Sequence, residues 1–543
     1  MRERIIILGA GVMQGPAIRI AKELGFFTVV LDGSAAAPCI ALADKFEQID
    51  LKDKEGIESF ARSLRDSGGG LGGIMTAGTD FSASVAWVAE SLGLPGLPYE
   101  AALNASDKSR MRACFKTAGL PSPEFTVITE ADLSNYQLTT ATCSLVIKPV
   151  DNMGGRGCRR VDSMAEFHAA AADALSFSRS GRAIVETFMD GPEFSVDAIV
   201  YHGEITICGL ADRHIFFPPY FIEMGHTMPT AIPGDQQQAI LETFCAGIRA
   251  LGLAGEGSIG AAKGDIKLTA KGPMIGEIAA RLSGGYMSGW TYPYSSGVEP
   301  IRAAILAAMG RKPDGLIPLN KWTSAERAFI SIPGTVQTVS GIETARSLTH
   351  VQDMFLRIAK GSTVSFPENN VSKCGNVISA APEREAAIKA AENAVRSVLI
   401  RLDPEDQQTA AFLGIRDCCS DNDPQFPIFP PSAFQPTAEL LAALEKLPET
   451  GGAGDMSIIP FPEFTGSGLR DYVGRSIGES LEAVRMLTGF SLPETPESSD
   501  NNRGASKIQP GFGVSGTLLG RSFWAALIRG GYQGATYYID QLR

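Results

Sequence analysis

The chain has 543 residues, with 48 Lys and Arg against 60 Asp and Glu for a net charge of −12, and 44% of its residues are hydrophobic. An acidic chain without a run of Lys or Arg is excluded as a general nucleic-acid binder, because phosphate binding rests on basic stripes. No apolar run approaches the roughly 20 residues of a membrane span, so a membrane location is not expected either.

Chain length suggests about three to four domains by the soft prior of ~150 residues each. The N-terminus enters a strand at once and has no small-residue cleavage site, so no signal peptide is expected. Nine cysteines are scattered without a C-x-x-C, and Cys418 and Cys419 are adjacent. Reduced thiols in a cytoplasmic protein are the plain reading. No two of the five histidines have metal-ligand spacing, which argues against a His-built zinc site.

The opening stretch RIIILGAGVMQGPAIRIAKELGFFTVVLDGS, residues 4–34, reads as strand, glycine turn, helix and strand. Ile5 to Leu8 is a short β-branched run suited to a buried parallel strand. Asp32 lies 21 residues after Gly11, where a dinucleotide-binding fold puts its ribose carboxylate. The glycines read Gly9-x-Gly11-x-x-x-Gly15, however, so the third falls one residue late for G-x-G-x-x-G. The turn is open to a dinucleotide site on one reading, and to a nucleotide-fold relic or a small-ligand crevice on the other. A helix around Ile57 to Leu64, a strand at Gly73 to Thr76 and a helix from Phe81 to Leu92 continue the alternation. Such an order implies an open parallel sheet.

A linker, AGLPSPEF at 118–125, ends this part. Beyond it SLVIKP (144–149) is a strand closed by proline, and a helix follows a glycine-rich loop from about Ser163 to Ala174. RAIVETFM (182–189), EFSVDAIVY (193–201) and EITICGLAD (204–212) read as an antiparallel meander. FFPPYFIEMGHTMPT (216–230) reads as a loop between strand and helix. A helix covers Gln236 to Leu251, and 257–269 and 272–285 read as paired strands around a short turn. A mixed α/β unit from about 326 ends in a helix at Glu383 to Leu399. After 405 the chain is rich in proline at 421–436, reads as a mobile loop at 493–507, and has helical stretches near 437–446 and 476–488. No polar cluster stands out there, and no chemistry is assigned to it.

Chemistry concentrates in two stretches. In VIKPVDNMGGRGCRRV, Lys148 at a strand end precedes a Gly154-Gly155-Arg156-Gly157 loop whose backbone N–H groups can cradle phosphate oxygens. The sequence G-x-x-x-x-G-K-[ST] of a P-loop is absent. An ordinary glycine hairpin is the competing reading. In GDIKLTAKGPMIGEIAAR, Asp265 and Glu277 stand 12 residues apart on adjacent strands, so both carboxylates can converge on one Mg²⁺. Arg281 offers a planar fork to a phosphate or carboxylate. Two solvated acids on a hairpin would look the same.

Taken in order, the motifs are Asp107-Lys108 before a helix, K-P-x-x-x-x-G-G-x-G, E-x-F-x-x-G-x-E, D…E-I-x-x-R and a Gly-Gly loop. This series resembles the ATP-grasp superfamily: carboxylate–amine ligases, L-amino-acid ligases, biotin carboxylase and D-alanine–D-alanine ligase. The resemblance spans residues 1 to about 405 and is strongest from Asp107 to Gly285. It implies an α/β chain: a Rossmann-like pre-ATP-grasp domain at 1–120 that binds no dinucleotide, and an ATP-grasp domain at 121–325 with a small lid subdomain at 121–186. A C-terminal α/β portion follows at 326–405, and an α+β extension of unassigned role at 406–543. It further implies ATP and Mg²⁺ as cofactors, with Mn²⁺ as a substitute metal.

By the same resemblance, Lys108 and Lys148 hold the ATP phosphates and Gly154, Gly155, Arg156 and Gly157 form the lid over them. Glu186, Thr187, Phe188 and Met189 form the hinge that reads adenine, largely by backbone. Glu193 holds the ribose hydroxyls, Asp265 and Glu277 hold metal, and Arg281 contacts the transferred phosphate. Glu223 and His226 match the pair that lines the amine pocket of L-amino-acid ligases, with Tyr286 and Trp290 as its wall. An incidental loop histidine and plain packing aromatics are the competing readings. Two positions depart from the family pattern. Asp265 stands for the usual Glu, and Ala279 replaces the asparagine of E-I-N-x-R, removing one oxygen ligand. The expected reaction is ATP-dependent amide formation from a small carboxylate and an amine, both expected to be amino acids, in a homodimer. A bicarbonate-activating enzyme of the biotin-carboxylase or carbamoyl-phosphate type and a non-catalytic ATP-binding regulator are the alternatives.

Overall fold

In the computed structural model, residues 2–68, 70–133, 136, 144–414, 434–448, 457–489 and 518–543 are described. Cys418, Cys419, residues 421–433 of the proline-rich stretch and the 493–507 segment lie outside them. Two compact units are formed: Met1–Arg327 with Glu368–Asn370 and Ile378–Ile388, and Ala328–Pro367 with Val371–Val377 and Lys389–Arg543.

The first unit begins with β1 (Arg4–Leu8), α1 (Gly15–Glu23), β2 (Phe27–Asp32), β3 (Lys45–Gln48), α2 (Lys54–Asp66), β4 (Leu71–Thr76) and α3 (Ser82–Leu92). The four strands form a parallel sheet in the order β3-β2-β1-β4. Strand periodicity decides which helix each side chain meets. Ile5 and Ile7 join Ala17, Ile18 and Ala21 of α1 in one core. Ile6 and Leu8 face the other way, onto Ile57, Ala61 and Leu64 of α2 and Val88 of α3. The open parallel sheet expected from sequence is present. Asp32 ends β2, and its carboxylate accepts N–H bonds from Ala10 (2.8 Å) and Ser34 (2.9 Å). The carboxylate thus closes the glycine turn from within.

The helices α4 (Tyr99–Ser106) and α5 (Lys108–Thr117) lead into a second sheet of β5 (Phe125–Ile128), β6 (Leu145–Pro149), β7 (Arg159–Val161) and β8 (Ala183–Thr187), ordered β5-β8-β6-β7. α6 (Met164–Phe177) packs on it through Phe167, Ala170, Ala171 and Ala174. A larger antiparallel array follows, with β9 (Glu193–Tyr201), β10 (Glu204–Phe216), β11 (Ile222–Met228), α7 (Gly234–Ala250), β12 (Ile259–Thr269), β13 (Gly272–Ala279) and β14 (Thr323–Phe329). Six neighbouring strands of this eight-stranded sheet run β13-β12-β9-β10-β11-β14. One face is apolar: Ile266, Ile275 and Ile278 pack on Ile240, Phe244 and Ile248 of α7 and on Met111 and Phe115 of α5. Gly264 keeps that face close, since a Cβ there would sit 2.5 Å from the Phe244 ring. Alternation then turns Lys263, Asp265 and Lys267 to the other face, where the site is built.

Two sequence expectations change. β10 runs to Phe216 rather than stopping at 212, and residues 222–228 are a strand rather than a loop. Pro218, Pro219 and Pro229 bracket that strand and made it read as a connector. Its pairing with β10 on one side and β14 on the other supplies the ladder that prolines would have denied it.

In the second unit, the strand Gly334–Ser340 pairs with Thr363–Val364 and with Leu399–Leu402. The last helix, Arg521–Gln541, is buried along most of its length. This unit holds the polar cluster that the sequence reading missed. Asp471, Tyr472, Arg475, Arg529, Tyr532 and Gln533 are all buried. Tyr532 Oη accepts from Ile400 N (2.8 Å), Gln533 Nε2 donates to Ser331 Oγ (2.8 Å), and Arg401 holds Asp540 through two bonds at 2.7 and 2.5 Å. Single polar letters spread over some 200 residues of sequence carry no local pattern, so only folding reveals them as a network.

Candidate functional site: a nucleotide cleft

The site is built on the polar face of β9, β10, β12 and β13, on the start of α5 and on the glycine loop between β6 and β7. Asp107 caps α5, its Oδ1 accepting from Ser109 N (2.8 Å) and Arg110 N (3.1 Å). That cap starts the helix at Lys108, whose Nζ lies 3.4 Å from Glu277 Oε1 and donates to Asn152 O (2.8 Å). Lys148, at the end of β6, lies 2.8 Å from Glu186 Oε2. Glu186 is shared with Arg112 of α5, which reaches Oε1 at 2.8 Å and donates from Nη2 to Gly276 O at 2.6 Å. The side chain of Glu186 is thereby an anchor for Lys148.

Gly154, Gly155 and Gly157 all adopt left-handed φ of 69°, 76° and 65°, which L side chains avoid. Gly154 O accepts from Asn370 N (2.8 Å), and Asn370 Oδ1 accepts from Glu223 N (2.7 Å), so the loop and β11 meet at one asparagine. In the hinge, Thr187 N donates to Glu124 O (3.0 Å), Phe188 N to Ser144 O (2.9 Å), and Met189 O accepts from Lys267 Nζ (3.1 Å). These hinge groups are engaged within the protein, which narrows the expected reading of adenine by backbone.

Asp265 and Glu277 are direct cross-strand partners, as their spacing implied. Their surroundings differ. Asp265 Oδ1 accepts from Ser195 Oγ (2.9 Å), and its Oδ2 meets Lys263 Nζ and Arg213 Nη1, the latter at 3.1 Å. Burial works against its charge, but Arg213 and Lys263 hold its carboxyl below the usual range. Glu277 is likewise held well below the usual range: desolvation opposes this, and Lys108, Lys263, Lys148 and Arg281 outweigh it. Its side chain keeps 36% exposure, so one ionised carboxylate faces open space amid four cations. Hard oxygen of that kind fits Mg²⁺ carried in with phosphates. Asp265, with its oxygens already engaged by Ser195, Lys263 and Arg213, fits less well. Among the described residues no group of three or more His, Cys, Asp or Glu is placed to share an ion.

Arg213 also donates to Glu223 Oε2 (2.9 Å) and pairs with Glu193. A single buried guanidinium therefore joins the expected ribose acid, amine-pocket acid and metal acid. His226 is buried, with Nδ1 3.1 Å from Glu326 Oε2 and Nε2 3.7 Å from Glu223 Oε2. The Gly284-Gly285 loop covers the pair: a Cβ on Gly285, itself at φ 58°, would lie 2.7 Å from Glu223 Oε1. Tyr286 follows that loop and meets Trp290 edge-on at 5.5 Å. Arg281 donates from Nη1 to Leu282 O (3.1 Å), and its buried Nε has no hydrogen-bond partner among the described residues.

Four participants escaped the sequence: Arg112, Arg213, Lys263 and Glu326. Arg213 had a readable signal, since it continues the alternation of β10 beyond the point where the strand was expected to end. Lys263 had one too, on the same face as Asp265 two residues away. Arg112 and Glu326 lie 74 and 100 residues from Glu186 and His226, their partners, with nothing local to mark them.

Two lysines about an ionised carboxylate have the chemistry to take a polyphosphate with its metal, and a family model for the ATP-grasp domain matches residues 105–285. The chain carries an ATP-grasp domain. A second model, for L-amino acid ligase C-terminal domain 2, matches residues 328–403. The chain is 25% identical over 334 residues to the uncharacterized protein y4rH of Sinorhizobium fredii, covering 60% of this chain and 68% of that one. It is 25% identical to carnosine synthase 1 of Gallus gallus over 57% of its own length, but spans only 35% of that protein. A solved L-amino acid ligase from Bacillus licheniformis matches 74% of this chain and 99% of its own with a TM-score of 0.65 at 21% identity, a likeness of fold. No helix among the described residues is long and apolar enough to cross a membrane.

Proposed function

We propose that the protein is an ATP-dependent carboxylate–amine ligase that joins two amino acids through an acyl phosphate. The observation that carries this reading is the ionised Glu277 carboxylate with Lys108 on it and Lys148 close enough to lower its pKa, within the segment matched as ATP-grasp. In the proposed reaction a carboxylate oxygen of the first substrate attacks the γ-phosphorus of ATP and ADP leaves. The amine nitrogen of the second substrate then attacks the acyl carbon, phosphate departs, and the amine gives up a proton. Magnesium, when bound, supplies charge neutralisation at the phosphates.

The chain's own residues do the rest. Lys108 and Lys148 neutralise charge developing during transfer, and Glu186 with Arg112 keeps Lys148 aimed. Arg281 has a buried N–H to offer the acyl phosphate. The glycine loop excludes water that would hydrolyse the intermediate. Glu223 and His226, under the Gly285 loop, line the pocket for the amine. The L-amino acid ligase C-terminal match and the fold likeness to an L-amino acid ligase support amino acids as both substrates. A screen of amino-acid pairs with Mg-ATP for phosphate release tests the reading. Release that needs one particular pair is the expected result; release that needs only bicarbonate, or none with any pair, would refute it.

A further inference from the structure

Two facing carboxylates could share one divalent ion or hold one each, and the residues around them are unevenly equipped. Asp265 already has Ser195 on one oxygen and two cations on the other. Ala279 offers no oxygen at all. Directly across the ladder from Ala279 stands Lys263, just as Glu277 stands across from Asp265. Paired positions put their Cβ atoms about 5 Å apart on one face, so the methyl of Ala279 leaves room for the lysine stem. The ammonium then lies on Asp265, and its charge also reaches Glu277.

We propose that the Lys263 ammonium takes the place of one divalent ion, so that each bound nucleotide brings a single Mg²⁺, held from Glu277. The inference rests on the ligase reading above and deepens it. The physical reason is local charge. An ammonium held on Asp265, the cross-strand partner of Glu277, repels a second divalent cation and satisfies Asp265 in its stead. Lysine suits this use, being a compact point charge on a flexible stem. An asparagine at 279 would add an oxygen ligand but stand against that stem. The asparagine lost at 279 and the lysine that faces it across the ladder thus act on one spot. Positive charge that a second metal would bring is thus part of the chain.

Mn²⁺ serves as the probe. The full-length protein is saturated with β,γ-imido-ATP and titrated with Mn²⁺. Bound metal is counted by electron paramagnetic resonance and bound nucleotide in the same samples. One Mn²⁺ per nucleotide is expected in the native chain. Two are expected in the Lys263→Ser/Ala279→Asn double variant, checked for a melting temperature close to native. Two ions in the native chain would overturn the inference whether or not the variant folds. A count that stays at one in the folded double variant would overturn Lys263 as the cause. Failure of the native protein to bind the nucleotide would instead remove the ligase reading, and this inference with it.

Discussion

Arg112 Nε donates to Glu186 Oε1 at 2.8 Å, and both side chains are sealed from solvent, at 1% and 3% exposure. The pair ties α5 to β8, and through Lys148 it ties both to the phosphate end of the cleft.

Breaking one partner of a buried ion pair strands the other. Arg112→Met should therefore cost roughly 3–5 kcal/mol of stability, read by denaturant unfolding. Glu186→Gln should be destabilising too, and should lower nucleotide affinity by releasing Lys148. A variant with native stability and native affinity would show the anchor to be idle.

The same pair sets a pH dependence. Burial opposes ionisation of Glu186, but Arg112 and Lys148 hold its folded carboxyl below the usual value of 4.5. The unfolded chain then binds more protons as pH falls below that value, so the contribution of Glu186 is present above about 4.5 and is lost on acidification toward its folded value. Unfolding free energy measured between pH 6 and 3 should fall with acid, and the slope should be shallower in Glu186→Gln. Equal slopes would remove Glu186 from the acid response.

Lys148→Ala should weaken ATP binding by about 10- to 100-fold, the worth of one hydrogen bond to a charged group at roughly 1.5–3 kcal/mol. Lys148→Arg should not fully restore it, because a planar fork does not replace a point charge. Calorimetry that finds native affinity in the alanine variant would end the assignment.

Glu277→Gln should keep the fold and much of the nucleotide affinity while abolishing Mg-dependent phosphate release, since an amide supplies no charge. Asp265→Asn should be milder on turnover, its carboxylate being already engaged by Lys263 and Arg213. Equal losses in both variants would show that the two acids act alike.

NAD and NADP should not bind, because the Asp32 carboxylate is committed to Ala10 and Ser34. Saturable micromolar NAD binding, abolished in Asp32→Ala, would reverse this. Removal of residues 406–543, which carries no role in the cleft by sequence, should nonetheless expose the core of the second unit. Tyr532, Gln533 and Asp540 bond to Ile400, Ser331 and Arg401 there. Rapid proteolysis within 328–405 is the expected outcome for the shortened chain, with nucleotide binding retained.

Local order was legible in the sequence because it rests on neighbours. The strand at Ile5–Leu8, the glycine loop, the Asp107–Lys108 helix start and the Asp265–Glu277 pairing all follow from spacings of under 15 residues and from the periods of strand and helix. The phosphate and metal roles proposed for these residues rest on the same short spacings. Tertiary structure alone decided which charges neutralise which. Arg112 reaches Glu186, Arg213 gathers Glu193, Glu223 and Asp265, and Glu326 holds His226. Each of these depends on strands brought side by side from distant parts of the chain. It also decided that residues 222–228 are a strand, since the hydrogen bonds that satisfy that backbone come from β14, about 100 residues away. A sequence records which groups could pair, but in a buried cleft the partner is chosen by register and by the cost of leaving any charge alone.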